Sequence, residues 1–293
     1  MMAFDNVIEQ LYKENSTQVT EYLSCLDSVF LSLTIAYSKK DKIETAYFLY
    51  IIKKYHIIHN KPFSIIVDMI LRLLRDPNMY CRENAMQAIY SIGDCDCVMK
   101  ALKMIDNNNM FHHSKLISDG LLEYAGNKER LSQEIWNCFE GFSVDMKVTL
   151  LNYFRFSSGE YCKPIFELMI DETQDDEIRF SCIRYFGKYY FEPAYRYLLI
   201  YADSNNGLRW EYSAIASRAL ALYPSEATIA LLKSNLFHSN WYIRLNSSLS
   251  LERLGLSYID LIDVIYGNDR YASEILEYCL KVRELEKKET ILI

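Results

Sequence analysis

Residues 240–255 read "NWYIRLNSSLSLERLG" and residues 78–93 read "NMYCRENAMQAIYSIG". The two stretches align without a gap and share Asn78/Asn240, Tyr80/Tyr242, Arg82/Arg244, Asn84/Asn246 and Gly93/Gly255. Such an echo restricts the fold more than any other feature of the chain, because its offset of 162 residues is too long for one structural unit. Divided into five steps it gives a period of about 32, within the range that marks arrays of stacked repeats.

Two registers support the period. Between Arg82 and Arg244 a cation recurs at Lys115, Lys147, Arg179 and Arg209, with steps of 33, 32, 32, 30 and 35 residues. Seven residues after each stands an apolar side chain: Ile89, Leu122, Phe154, Phe186, Ala216 and Leu251. Inside each echo the apolar and small residues follow i, i+3/i+4, i+7, the pattern of one helical face. Gly93, Gly126, Gly159, Gly187 and Gly255 then fall near helix ends, where a left-handed C-cap favours glycine.

After each glycine comes a second amphipathic stretch: "DCDCVMKALKMID", "KERLSQEIWNCF", "EYCKPIFELMID", "FEPAYRYLLIYA", "SEATIALLKSNLF" and "SYIDLIDVIYG". Pro164 and Pro193 sit in opening turns, where a missing amide hydrogen matters least. The repeat is helix, short turn, helix, loop. With only 9 Gly and 5 Pro the chain has little of the punctuation that a β-sandwich or βαβ succession needs.

These features resemble HEAT-repeat proteins, whose first helices carry an Asp six residues before an Arg and an Ala three after it. "DPNMYCRENA" (76–85) fits that pattern. In "DSNNGLR" Asp203 precedes Arg209 by six, but Ser213 follows by four, and in the last repeat His238 stands where the family has Asp. The stretches "YCRENA", "DDEIRFSCIRYFGKYYFEPAYRY" and "NWYIRLNSSLSLERLG" also resemble a bacterial subgroup of poorly defined role, some members of which carry a membrane anchor. The resemblance covers about residues 61–293. It implies an all-α, right-handed α-α superhelix (an armadillo-type HEAT solenoid) of about six repeats. Residues 1–60, with helical stretches "VTEYLSCLDSVFLSLTIAY" and "IETAYFLYIIKKYHII", then form an N-terminal cap, and the charged C-terminal helix closes the array.

The net charge of -7 argues against a protein that neutralises many phosphates, so nucleic acid is not the expected partner. Eight scattered cysteines include only one close pair, the C-x-C of Cys95 and Cys97; this suits buried, reduced thiols and a cytoplasmic setting rather than a zinc site. The start "MMAFDNVIEQLYKENSTQ" lacks the basic and apolar regions of a secretory signal, and no stretch reaches about 18 uninterrupted apolar residues, so a soluble chain is expected.

Phosphate-binding glycine loops, nucleophile elbows and zinc motifs are absent from the sequence. The iron hydroxylases built on HEAT repeats would need His-Glu pairs; no His here is followed by Glu, and His56/His59 and His112/His113 lack partner pairs at the repeat offset. No enzyme activity, metal or cofactor is expected on these grounds.

The cation ladder reads first as a structural tie between repeats. The richest cluster for contact with a partner is "RYFGKYYFEPAYRYLLIY" (184–201), because Tyr and Arg are enriched at interface hot spots. In the second helix of that repeat Ala194, Leu198 and Tyr201 share a core face, leaving Arg196 and Tyr197 free to point elsewhere. Arg184, Arg196, Tyr197, Trp210 and Trp241 are therefore the candidate partner-binding residues of a non-catalytic scaffold or adaptor that binds a protein or peptide along the concave surface of the solenoid, although both Trp residues also suit packing between repeats. Two other functions follow from resemblance. A DNA glycosylase-like HEAT protein would group Trp210, Trp241, Arg209, Arg244 and Asp203 at a basic concave surface. A cytoplasmic regulator of a membrane enzyme would follow the anchored relatives.

Overall fold

In a computed structural model the chain is all-helical, as the periodicity requires. The structure describes residues 1–59, 61, 65–107, 113–205 and 207–291, with side chains at 283–284 and 286–291 left aside. Among the described residues there are seventeen α-helices, two 3-10 turns and no strand. His112 lies outside the described residues. The chain divides into two compact units, Met1–Tyr153 and Phe154–Ile293, the division falling inside helix α9 (Val144–Ser157).

The first unit begins with α1 (Met2–Ser24), interrupted at Asn15 where φ is -156° and ψ is 91°, and α2 (Asp27–Tyr37). Three pairs follow: α3 (Lys42–Lys54) with α4 (Ile65–Leu73), α5 (Met79–Ile92) with α6 (Cys95–Asp106), and α7 (Ser114–Leu122) with α8 (Lys128–Asn137). Helix α3 packs against α5 and α5 against α7, so first helices stack on first helices, while α6 stacks on α8. The second unit repeats the plan with α10 (Cys162–Ile170), α11 (Asp176–Phe186), α12 (Glu192–Ala202), α13 (Trp210–Ala219), α14 (Glu226–Asn235), α15 (Trp241–Arg253), α16 (Ile262–Ile265) and α17 (Arg270–Ile291). There α11 packs on α13, α13 on α15 and α15 on α17.

Local chemistry sets the helix starts. Side chains of Asn78, Asp94, Asn127, Asp175, Ser225 and Asn240 accept from the backbone amides of the following turn, satisfying donors that the helix leaves open. At the other end, only two of the five expected C-cap glycines are left-handed: Gly93 at φ 80° and Gly255 at φ 92°. Gly126 serves closeness instead, since a Cβ there would strike the Gly93 carbonyl and the Tyr124 hydroxyl. The last second-helix stretch, "SYIDLIDVIYG", forms only the four-residue α16, preceded by a turn in which Asp260 accepts from both the amide and the hydroxyl of Ser257.

Tyrosine hydroxyls join neighbouring repeats. Tyr124 donates to the Gly93 carbonyl over 2.9 Å and Tyr90 to that of Ile117 over 3.3 Å. In the second unit Tyr185 donates to the Ser158 carbonyl (2.8 Å), Tyr201 to that of Met169 (3.2 Å) and Tyr212 to the Asp176 carboxylate (2.6 Å). The Tyr223 hydroxyl accepts from the Phe191 amide (3.2 Å). Each tie links residues 27 to 36 apart, one period along the chain. A buried tyrosine must place its hydroxyl, and backbone carbonyls at the next helix end are the available acceptors.

Among the described residues no single helix is long and apolar enough to cross a membrane; α1 and α2 would pass together by length and composition but are bent by 77°.

Candidate functional site

The cation ladder divides by position in the helix. Arg82, Lys147 and Arg179 are buried, and Arg82 and Arg179 stand four residues after the N-caps Asn78 and Asp175. Arg82 donates to the carbonyls of Asp76 and Pro77 at 2.8 and 2.9 Å; Lys147 donates to Glu140 at 2.7 Å. Arg179 donates to the Met169 carbonyl and the Tyr201 hydroxyl, both at 3.2 Å, and its guanidinium lies 5.1 Å from the Tyr212 ring. These three are structural ties.

Arg209 does not share that register. It is itself the N-cap of α13, and Ser213 occupies the position four residues on, donating to the Asp203 carbonyl much as Arg82 donates to that of Asp76. Placed outside the helix, Arg209 is exposed and pairs with Asp176 at 3.0 Å and Glu211 at 2.8 Å. Lys115, two residues after the N-cap His113, is exposed as well. Arg244 returns to the common register, half-buried, with its guanidinium 5.2 Å from the Tyr271 ring and its Nε buried without a hydrogen-bond partner.

The two tryptophans come together on the surface of the second unit. Trp210 and Trp241 are the first residues of α13 and α15, and both are joined by Tyr242. The rings of Trp210 and Tyr242 stack at 5.5 Å and 20°, and Trp241 meets Tyr242 edge-on at 5.1 Å and 76°. All three remain open to solvent, at 43%, 52% and 54% for Trp210, Trp241 and Tyr242, rather than packing between repeats. Beside them a shallow groove of about 260 Å³ is lined by Trp241, Arg244, Leu245, Tyr271, Glu274 and Tyr278. Sequence reasoning missed Tyr242 and Tyr271. The signal was present at Tyr242, since the two residues after an N-cap are seldom core positions and Asn240 caps α15.

The other three candidates lie apart from this cluster. Arg196 is exposed on α12. Tyr197 is half-buried, its ring meeting Phe166 of α10 edge-on at 5.5 Å, which makes it part of the packing between α10 and α12. Arg184 is half-buried in the last turn of α11, where burial pushes its guanidinium below the ordinary range and Glu177 opposes the fall.

Among the described residues no three His, Cys, Asp or Glu side chains gather as metal ligands would. Burial pushes the Cys95 thiol up to about 11 and, with a hydrogen bond to Asp94, the Cys97 thiol up to about 12, so neither is poised as a nucleophile.

No known protein family matches the chain, and no curated protein does. Among solved structures it is similar to human deoxyhypusine hydroxylase in complex with glycerol, at 14% identity and a TM-score of 0.34, over 97% of this chain and 98% of that one. That protein is an enzyme by its name. The comparison corrects the expectation that this chain has no catalytic activity: missing sequence motifs do not exclude one. At this identity and TM-score the likeness carries no reaction across.

Proposed function

We propose that the chain is a HEAT-type helical-repeat protein of the cytoplasm that binds another protein through the ring cluster Trp210, Tyr242 and Trp241. The observation that supports this is three large aromatic side chains in contact with one another yet left in water. Contiguous exposed apolar surface marks interaction sites, and Trp and Tyr supply most of the energy at such sites. The neighbouring groove extends the contact surface with Tyr271 and the half-buried Arg244. Duplex nucleic acid fits this surface poorly, because Arg209 beside the rings is already engaged by Asp176 and Glu211.

The chain's third tryptophan, Trp136, lies in the first unit, so in a Trp136→Phe background the indole emission reports the cluster alone. Peptides selected from a displayed random library for binding to the chain are expected to shift that emission. Read by fluorescence anisotropy of the labelled peptides, replacing both Trp210 and Trp241 by Ala is expected to weaken binding by at least about tenfold, a hot-spot loss, with little change in thermal stability. Selected peptides that bind the double variant as tightly as the native chain would defeat the proposal. So would tight binding of duplex DNA at low salt that disappears with the two tryptophans.

A further inference from the structure

Four first helices end on an arginine in their last turns: Arg155 on α9, Arg184 on α11, Arg218 on α13 and Arg253 on α15. All four arginines belong to the second unit, and the turns lie side by side. A Cβ at Gly187, just past α11, would come within 3.2 Å of the Ala219 Cα at the end of α13. Ser250 of α15 donates to the Arg218 carbonyl over 3.4 Å. At the α9 end the exposed Phe156 ring lies 5.3 Å from the Arg155 guanidinium and 4.7 Å from the Lys188 ammonium, one turn beyond Arg184.

Part of this placement is ordinary, because cations near a helix C-terminus meet the negative end of the dipole. The lack of an ion pair is not, with Glu177 and Glu252 the carboxylates that act on Arg184 and Arg218 from nearby. Among the described residues none of the four arginines forms an ion pair, in a chain of net charge -7. Burial pushes the Arg155 guanidinium below its ordinary range and the neighbouring Arg184 pushes it further; its Nε is buried without a hydrogen-bond partner. Burial and Arg253 lower Arg218 in the same way, against Glu252 and Cys279. Arg218 and Arg253 are exposed, but Arg155 and Arg184 are half-buried side by side, and like charges held together there cost stability unless something opposite arrives.

We propose that this arginine ridge docks an extended acidic segment of a partner protein, with a carboxylate at every third residue in polyproline II conformation. Packed helices stand about 8–10 Å apart, which sets the step between the arginines of neighbouring helices. A polyproline II chain has three residues per turn and rises about 3.1 Å per residue, so side chains at i, i+3, i+6 project from one face about 9 Å apart. Each carboxylate can then accept the fork of one guanidinium. Nucleic acid matches less well: the phosphates of a duplex strand repeat about every 3.4 Å along the helix axis, out of step with the helix spacing, and the Phe156 ring, already carrying two cations, is no bare platform for a base.

The ridge lies at the opposite helix ends from the ring cluster and does not rest on it. The test is fluorescence anisotropy of a labelled peptide of four Glu-Pro-Pro units. The native chain is expected to bind it with an affinity that falls as salt rises, and the Arg155→Gln/Arg184→Gln variant about tenfold more weakly. Arg253→Gln, at an exposed helix end where packing is not at risk, should lose about threefold. A peptide of the same composition with its glutamates in one block should bind about tenfold more weakly, and the Trp210→Ala/Trp241→Ala variant should bind like the native chain. Equal binding of the block peptide, undiminished binding by the glutamine variants while their melting curves stay native, or equal competition by an oligothymidylate of the same charge would each overturn the proposal.

Discussion

Replacing Arg179 by Met decides whether the cation ladder is structure or site. Arg179 is buried, donates to the Met169 carbonyl and the Tyr201 hydroxyl at 3.2 Å, and has the rings of Tyr201 and Tyr212 at 5.6 and 5.1 Å. Methionine keeps much of the apolar stem and loses the rest. Two hydrogen bonds from a charged donor contribute about 1.5 kcal/mol each and the ring contacts about 1 kcal/mol together. Against this, the charge no longer has to be desolvated, which offsets about 1–2 kcal/mol. The Met169 carbonyl keeps the Tyr201 hydroxyl as donor, so it is not orphaned. The expected net loss is about 2–3 kcal/mol. Urea titration in the Trp136→Phe background, followed by tryptophan emission, reads the second unit alone. With a slope of about 2 kcal/mol per molar, the midpoint should fall by about 1–1.5 M. A fall below about 0.3 M would refute the structural assignment and return Arg179 to the candidates for ligand contact.

Two further perturbations probe the first unit. Asp5 is buried; burial alone would raise its carboxyl, but hydrogen bonds from Lys54, Tyr55 and Tyr47 more than offset that and hold it down to about 2. A carboxyl lowered on folding contributes stability above its unfolded value near 4 and loses it as pH falls through about 2, so Asp5→Asn should cost about 2 kcal/mol at neutral pH and little below pH 2, read by urea midpoints across that range. Gly126→Ala should destabilise by about 2–3 kcal/mol, because its Cβ meets the Gly93 backbone carbonyl, which cannot yield. Gly141→Ala, with open space around it, should change thermal stability by no more than about 0.5 kcal/mol.

The helical repeat was legible because its evidence is periodic. Ile89, Phe154, Phe186, Ala216 and Leu251, one in each of five first helices, are fully buried where the spacing places them, whereas the sixth, Leu122, is half-buried and its neighbour Leu121 takes the core position. The ladder was misread at Arg209 for a physical reason. A loop of different length sets the N-cap of α13 on the arginine itself, so a spacing of about 30 residues survives while the helical position does not. The glycines looked alike in sequence, yet Gly93 is needed for its dihedral and Gly126 for its lack of a Cβ. The tyrosine ties left no mark, because most of their partners are main-chain atoms that every residue possesses. The ridge was hidden because its arginines end helices of unequal length, so their spacing along the chain is irregular.

Of the candidate residues, Trp210 and Trp241 could be nominated from composition, but not their union through Tyr242. That depends on two helices starting at the same level in the stack. Arg184 was nominated for its aromatic neighbours in sequence, whereas its position is notable for the unpaired Arg155 beside it.

The hydroxyl ties from Tyr90, Tyr124, Tyr185, Tyr201, Tyr212 and Tyr223 all reach about one period and no farther. Nothing in this bonding scheme refers to a distant part of the chain. Duplicating one helix pair inside a unit would supply both a new hydroxyl and a new carbonyl to receive one, and deleting a pair would remove both. A gene coding for such a protein can therefore change its length in whole pairs by unequal recombination while every remaining joint stays closed.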